Sequence, residues 1–156
     1  MLAAIALVAV GPDPRALPLV YLAAVTPTLC AIDAVERRLP NSLVLPGYLV
    51  ASAGIVAHWI VGGEFSTVAV VSGVLYFVVM LAFAVAGGMG MGDVKLAGVL
   101  GLSAGLVSAT AAVVSPLVAF VLGGTAAFGA LRGGPGPSIP FGPFLLAGFW
   151  VAVVVG

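Results

Sequence analysis

Long apolar stretches, separated by short polar or glycine- and proline-rich breaks, follow one another along this chain of 156 residues. A helix that crosses the hydrocarbon core of a membrane needs about 20 predominantly apolar residues. Six stretches come close to that length: Ala16–Ala34, Leu43–Val61, Thr67–Ala86, Val94–Ala112, Val114–Leu131 and Phe141–Val155. The weakest break, between the fourth and fifth stretches, falls within residues 108–116. The pattern therefore predicts an all-α, polytopic membrane helix bundle with about six transmembrane helices.

The N-terminal segment Met1–Val10 is also apolar but is shorter than a usual span. It lacks the basic residues that begin a secretory signal peptide. We therefore expect it to be retained, either as an interfacial helix or as a short first span. Residues 1–156 are interpreted as one membrane-embedded domain, with residues 1–15 as an additional short N-terminal segment.

The composition excludes several classes of protein. Charged residues make up 6% of the chain and the mean hydropathy is +1.34, whereas soluble domains carry roughly 25% charged residues. The net charge is zero, so we expect no basic surface for nucleic acid. Cys30 is the single cysteine, which rules out an internal disulfide and a Cys-x-x-Cys zinc site. We expect Cys30 to be a small packing residue.

The positions of the cationic residues predict how the bundle is oriented. With six spans, three connections share one side of the membrane: residues 35–42, 87–93 and 132–140. This side carries Arg37, Arg38, Arg132 and, just inside the next helix, Lys95. The opposite connections carry Arg15, so the positive-inside rule makes the first side cytoplasmic. Asp33 and Asp93, which both border that side, are then expected at the cytoplasmic boundary.

Two of the five acidic residues are candidates for chemistry. Asp13 and Glu64 fall in outer connections, and Glu36 lies closer to water than Asp33. Asp33 and Asp93 instead border apolar stretches at one membrane face, where an ionisable group is costly and marks function. Two carboxyl groups about 3 Å apart share one proton, so that one activates a water molecule while the other protonates a carbonyl oxygen. This is the chemistry of aspartic peptide hydrolysis, and it requires neither a metal nor a cofactor.

A glycine-rich run leads into Asp93. Residues 87–93 read Gly-Gly-Met-Gly-Met-Gly-Asp. Glycines at these positions clear a path for an extended substrate backbone and permit conformations that are closed to other residues. We expect the run to break the helix at the place where the site must be accessible to water for hydrolysis.

Alternative interpretations stay open for these residues. Asp93 is a good helix N-cap, and Asp33 can pair with Arg37 four residues on. The cations Lys95, Arg37 and Arg38 can anchor the bundle at the interface, or can bind an acidic group of a substrate. A small ion-coupled or proton-coupled transporter also uses buried carboxylates and a broken helix. Such a transporter would place them near the bilayer midplane rather than at its edge.

Three ordered segments match motifs of a known family. They are Asp33 followed by Arg38-Leu39-Pro40-Asn41, then Gly88-Met89-Gly90-Met91-Gly92-Asp93-Val94-Lys95-Leu96, then Pro140-Phe141-Gly142-Pro143-Phe144. With these motifs the chain resembles the type IV prepilin peptidase family, which are membrane aspartic proteases of the Gly-x-Gly-Asp class. The resemblance implies that Asp33 and Asp93 are catalytic. It also implies that the other motif residues support substrate binding, namely Gly90, Gly92, Lys95, Arg38, Asn41, Pro140 and Gly142.

The resemblance implies an endopeptidase of the cytoplasmic (inner) membrane of a prokaryote, with lipid around it and a prepilin-like protein as substrate. Such enzymes remove the leader at the cytoplasmic boundary, just before the hydrophobic helix of the prepilin. Longer bacterial members carry paired Cys-x-x-Cys motifs and also methylate the new N-terminus. Because this sequence has only Cys30, we expect a peptidase without methyltransferase activity, similar to short members that serve Flp-type (tight-adherence) or related pili. A non-catalytic scaffold for pilus assembly is the remaining alternative.

The segment before the last helix allows two interpretations. Pro140 and Pro143 suit the first turn of a helix. The glycine- and proline-rich connection Arg132–Ile139 is also expected to fold over a bound substrate.

Overall fold

The structure, a computed structural model, describes residues 1–131 and 140–156, which form seven helices. These are α1 Leu2–Val10, α2 Ala16–Glu36, α3 Asn41–Ile60, α4 Thr67–Val85, α5 Met91–Val107, α6 Ala109–Leu131 and α7 Gly142–Val155. The described ranges contain no strand, so the prediction of an all-α fold is confirmed. The connection Arg132–Ile139, predicted to cover the substrate, lies outside the described residues.

The helices fit a membrane-spanning bundle. Among the described helices, α2, α3, α4 and α6 are long and apolar enough to cross a membrane, and α7 is a shorter apolar helix of 14 residues. The fifth helix, α5, has 17 residues, and eleven of them are buried against the other helices. The long helices therefore surround a short, buried one.

The first helix is too short to be a span. Its nine residues cover about 14 Å, whereas the hydrocarbon core is about 30 Å thick. It packs against α2 and α7, with Ala6 fully buried in that contact. Of the two expectations for Met1–Val10, this length favours the interfacial helix over the short first span.

The break between the fourth and fifth stretches falls at Ser108, inside the predicted range 108–116, but the predicted bounds of the two spans are wrong. We expected one helix to continue to Ala112 and the next to begin at Val114, whereas α5 ends at Val107 and α6 begins at Ala109. Ser108 between them is fully extended, and its Oγ accepts a hydrogen bond of 2.9 Å from the backbone N–H of Ala111. Ser108 therefore caps the start of α6, a role for which serine is strongly preferred.

Glycines on α5 bring it very close to α4. A Cβ added at Gly101 would lie 2.6 Å from the carbonyl oxygen of Ser72, and one at Gly105 would lie 2.7 Å from the Cα of Ala69. The Ser72 hydroxyl donates a 2.7 Å hydrogen bond to the carbonyl of Gly101. Small residues allow such backbone contact in membranes, where helix association depends on close packing.

A polar contact joins α2 to α7 within the apolar core. The Thr26 hydroxyl accepts a 3.1 Å hydrogen bond from the indole Nε1 of Trp150, and it donates to the carbonyl of Leu22 at 2.6 Å. Both partners of this contact are buried. It fixes α7 against α2, and so places the first residue of α7 beside the last turn of α2.

Candidate active site

Asp33 lies in the last turn of α2 and is only 4% exposed. Its Oδ2 accepts a hydrogen bond of 3.0 Å from the backbone N–H of Gly142, the first residue of α7. The first N–H groups of a helix have no partners within the helix and carry a partial positive charge. The hydrogen bond therefore stabilises the ionised form of Asp33. A Cβ at position 142 would lie 2.7 Å from Oδ2, so any other residue here would displace the carboxyl group.

Asp93 lies in the first turn of α5, but it does not cap the helix. The N-cap residue is Gly90, whose carbonyl accepts a 3.1 Å hydrogen bond from the backbone N–H of Asp93. The interpretation of Asp93 as an N-cap is therefore wrong. Its Oδ1 is buried and has no hydrogen-bond partner among the described residues. A buried, unpaired carboxylate oxygen is costly unless the group is protonated.

The surroundings of Asp93 favour its protonated form. Burial raises its pKa most, the carboxylate of Asp33 raises it further, and the backbone amide of Gly90 lowers it, which leaves the pKa at about 6. The N-terminus of α5 favours a negative charge at this place. Because the pKa is nevertheless raised, burial and the neighbouring charge outweigh the helix dipole.

The two aspartates, sixty positions apart in the sequence, line the same two cavities. The first cavity has a volume of about 330 Å³ and the second about 300 Å³, and both are lined by Asp33, Asp93, Arg37 and Gly90. The two carboxyl groups are close enough for the charge of one to act on the other. The structure therefore brings the two candidate carboxyl groups into one site, where the ionisation of each affects the other.

The glycine run forms the wall of these cavities, but its members differ in role. Gly87 ends the turn after α4 with a φ of +80°, which glycine adopts without strain. A Cβ at Gly92 would lie 2.9 Å from the Cβ of Leu39, whereas one at Gly90 would make only an ordinary contact of 3.7 Å with Asp93. Gly92 therefore lets α5 approach the connection between α2 and α3. Gly90 is the position that leaves open space beside the carboxyl group.

Cationic side chains line the first cavity. They are Arg37, Arg38 and Lys95. The neutral Asn41 also lines this cavity, and its side-chain oxygen accepts a 3.0 Å hydrogen bond from Lys95 Nζ. Arg37 adopts a left-handed conformation with φ of 51° and ends α2. Among the described residues, no ion pair joins Arg37 to Asp33. The ion pairs found within this part of the chain are those of Asp13 with Arg15 and with His58. The alternative interpretation in which Asp33 pairs with Arg37 is therefore wrong.

The start of α7 closes the second cavity. Pro140 and Phe141 line it, and Gly142 touches Asp33 directly. Pro143 lies in the first turn of α7, as expected, whereas Pro140 precedes the helix. The residues predicted for substrate binding thus all lie in the walls of the two cavities or in contact with Asp33.

Comparison with protein-family models matches residues 19–131 to the type IV leader peptidase family. The chain belongs to this family. No curated protein and no solved structure matches it. The matched region contains both aspartates and the glycine run, and it ends before the segment Pro140–Phe144. Membership of this family, together with the long apolar helices, makes the protein a multi-pass membrane peptidase.

Two contacts of the candidate site were not predicted from the sequence. Gly142 was predicted as a motif residue but not as a donor to Asp33, because it donates through its backbone amide, a group that every residue except proline carries. Phe141 was predicted only as part of a motif, yet its ring lines the cavity that holds both aspartates. Within the described residues no three His, Cys, Asp or Glu side chains are grouped to hold a metal ion.

Proposed function

We propose that this protein is an aspartic endopeptidase that removes the leader of a prepilin-like substrate at the cytoplasmic boundary of a prokaryotic inner membrane. The observation that carries the proposal is the meeting of Asp33 and Asp93 in shared cavities that lie among helix ends. The family of leader peptidases supports both the reaction class and the class of substrate.

The environments of the two carboxyl groups favour different roles. Asp33 accepts the Gly142 amide at 3.0 Å, which favours its ionised form, so it is the proposed base that deprotonates a water molecule. Asp93, with its buried Oδ1, is the proposed acid that protonates the oxygen of the scissile carbonyl. When the intermediate collapses, the amine leaves with a proton and the pair returns to its singly protonated state.

The cationic wall gives the site a preference for negative charge in the substrate. Asp33 and Asp93, sharing one proton, carry one negative charge between them, whereas Arg37, Arg38 and Lys95 contribute three positive charges to the first cavity. Lys95 is hydrogen-bonded to the neutral amide of Asn41, which fixes the ammonium group without neutralising it. We propose that these residues bind an acidic group of the substrate. Arg37 and Arg38 also favour the cytoplasmic side for the site.

Two substitutions test the dyad. Asp33→Asn and Asp93→Asn each keep the volume of the side chain and remove its ability to exchange a proton. Co-expression with a candidate prepilin from the same genome, read by N-terminal sequencing of the product, should show cleavage by the wild type and none by either variant. Glu36→Gln is the matched control, because Glu36 is an exposed carboxylate on the same helix as Asp33.

The outcomes separate the alternatives. Cleavage by both Asn variants, at membrane levels equal to the wild type, would refute the aspartic dyad. Normal assembly of pili without cleavage would favour a scaffold.

We also propose that this chain lacks methyltransferase activity. Transfer of a methyl group from S-adenosylmethionine to the processed substrate by the purified protein would contradict this proposal.

A further inference from the structure

A concave apolar groove of about 370 Å³ lies between α4 and α6, away from the two cavities of the site. We name it the α4/α6 groove, and it is lined mainly by Leu75, Val79, Val113, Pro116, Leu117 and Phe120. Leu75, Val113 and Leu117 are each more than half exposed. The groove therefore opens sideways, towards the lipid.

The groove is built into the packing of the two helices. Helix α4 packs mainly on α5, and α6 packs mainly on α7, which leaves little direct contact between α4 and α6. Pro116 has no N–H group and leaves the carbonyl of Ala112 without its partner in the helix. The hydroxyl of Tyr76 on α4 donates a hydrogen bond to that carbonyl. The one backbone acceptor that the proline frees is thus satisfied, and the surface of the groove is left apolar.

A stack of aromatic rings connects the groove to the candidate active site. Phe120 lines the groove, and its ring centroid lies 5.6 Å from that of Phe141. The ring of Phe141 lies over Gly123 of α6, and it lines the cavity that contains Asp33 and Asp93. The contact between these two rings therefore joins a wall of the groove to a wall of the cavity that holds the two carboxyl groups.

We infer that the α4/α6 groove docks the apolar helix of the substrate, next to the site that cuts ahead of this helix. The inference rests on the proposed function. On α6 the groove runs from Ala112 to Phe120, which is about 12 Å or two helical turns. That length fits one face of a docked helix, whose side chains at i, i+4 and i+7 span about 10 Å.

The position of the groove beside the cavity agrees with the order of the substrate chain. Phe120 of the groove and Phe141 of the cavity are in ring contact, with centroids 5.6 Å apart. A substrate helix that begins near Phe120 would therefore place the residues just before it in the cavity with the aspartates. A lipid acyl chain is the other apolar occupant of such a groove, but it would gain nothing from this connection to the cavity.

Filling the groove tests the inference. Leu117→Trp adds a large ring within the groove. Val121→Trp is the matched control, because Val121 lies one turn further along α6 and does not line the groove. The two side chains are similarly exposed, Val121 by 64% and Leu117 by 60%. Each variant is assayed with a full-length prepilin and with a soluble peptide that contains the scissile bond but ends before the hydrophobic helix. Leu117→Trp should raise KM for the full-length prepilin by about tenfold, the effect of losing one well-packed side-chain contact, and should leave the peptide unaffected.

Cross-linking gives a second, independent measurement. In the Cys30→Ser, Asp93→Asn background, a cysteine at Leu117 should form a disulfide with a cysteine in the first two turns of the substrate helix, and a cysteine at Val121 should not. Equal cleavage of the full-length prepilin by Leu117→Trp and wild type, or equal cross-linking from both positions, would overturn the inference and assign the groove to lipid. A wild-type protein that cleaves neither substrate overturns the proposed function instead.

Discussion

The hydrogen bond from the Gly142 amide to Asp33 can be tested by a single substitution. Gly142→Ala adds a methyl group that would lie 2.7 Å from Oδ2 of Asp33, whereas even attractive C–H···O contacts are about 3.3–3.6 Å long. The carboxyl group must therefore move away, and the hydrogen bond of 3.0 Å is lost. Position 142 begins α7 and has no positive φ, so alanine fits its backbone.

The size of the effect follows from the bond that is lost. A hydrogen bond to a charged group contributes about 1.5–3 kcal/mol, and each 1.36 kcal/mol is worth a factor of ten in rate. If the Gly142 amide holds Asp33 in its ionised form, Gly142→Ala should lower kcat/KM by about 10- to 150-fold. The assay is steady-state cleavage of a purified prepilin in detergent or proteoliposomes, with Tm measured for each variant.

A matched variant separates loss of the contact from a general effect of replacing glycine. Gly124→Ala lies inside α6, where an added Cβ meets nothing within 4 Å. Alanine is favoured over glycine in a helix by about 1 kcal/mol, so this control should keep its activity and its Tm. Wild-type kcat/KM in a folded Gly142→Ala protein would refute the role given to the amide.

Three further predictions follow from other contacts. Asp93 has a raised pKa of about 6, so it is protonated below that pH and ionises above it. If Asp93 is the acid, kcat/KM should therefore fall as the pH rises through about 6. A flat profile from about pH 5 to about 8 would contradict the acid role. Tyr76→Phe leaves the carbonyl of Ala112 unpaired, which should cost about 1–3 kcal/mol of stability; the cost should shrink in the Pro116→Ala background, where the helix regains its own donor, and equal costs in both backgrounds would refute the pairing. Gly92→Ala should lower Tm, because its methyl group would lie 2.9 Å from Leu39 Cβ, whereas Gly90→Ala should keep Tm and raise KM; the reverse order would contradict the roles given to these glycines.

The sequence predicts the apolar helices well, because their length and composition are set by the membrane. The ends of α3, α4 and α7 fall within two residues of the predicted spans. The end of α5 could not be predicted in the same way. Residues 108–116 hold several weak helix-breaking signals, and the one that prevails is the capping hydrogen bond of Ser108, which depends on the local backbone rather than on hydropathy.

The candidate site was predictable in its residue types but not in its contacts. Asp33 and Asp93 stand out because charge is scarce in this chain. Their separate surroundings depend on tertiary packing: α7 delivers an amide to Asp33, while Oδ1 of Asp93 is enclosed without a partner among the described residues. A pattern of residue types gives no information about which of two similar carboxyl groups receives a hydrogen bond from a distant backbone.

Hydrolysis within a membrane protein requires water at the catalytic groups, although lipid surrounds the protein. The ends of the helices allow this, because they bring polar backbone groups to the candidate site. Helix α2 ends, and α5 and α7 begin, at the place where Asp33 and Asp93 meet. The freed backbone groups of these ends supply polar contacts, such as the Gly142 amide, that a continuous helix does not have. The α4/α6 groove, which adjoins this place through the contact of Phe120 with Phe141, is apolar, because Tyr76 satisfies the acceptor that Pro116 frees. Under the proposed function, a substrate whose polar leader precedes an apolar helix would meet a polar cavity and an apolar groove in the same order as its own chain.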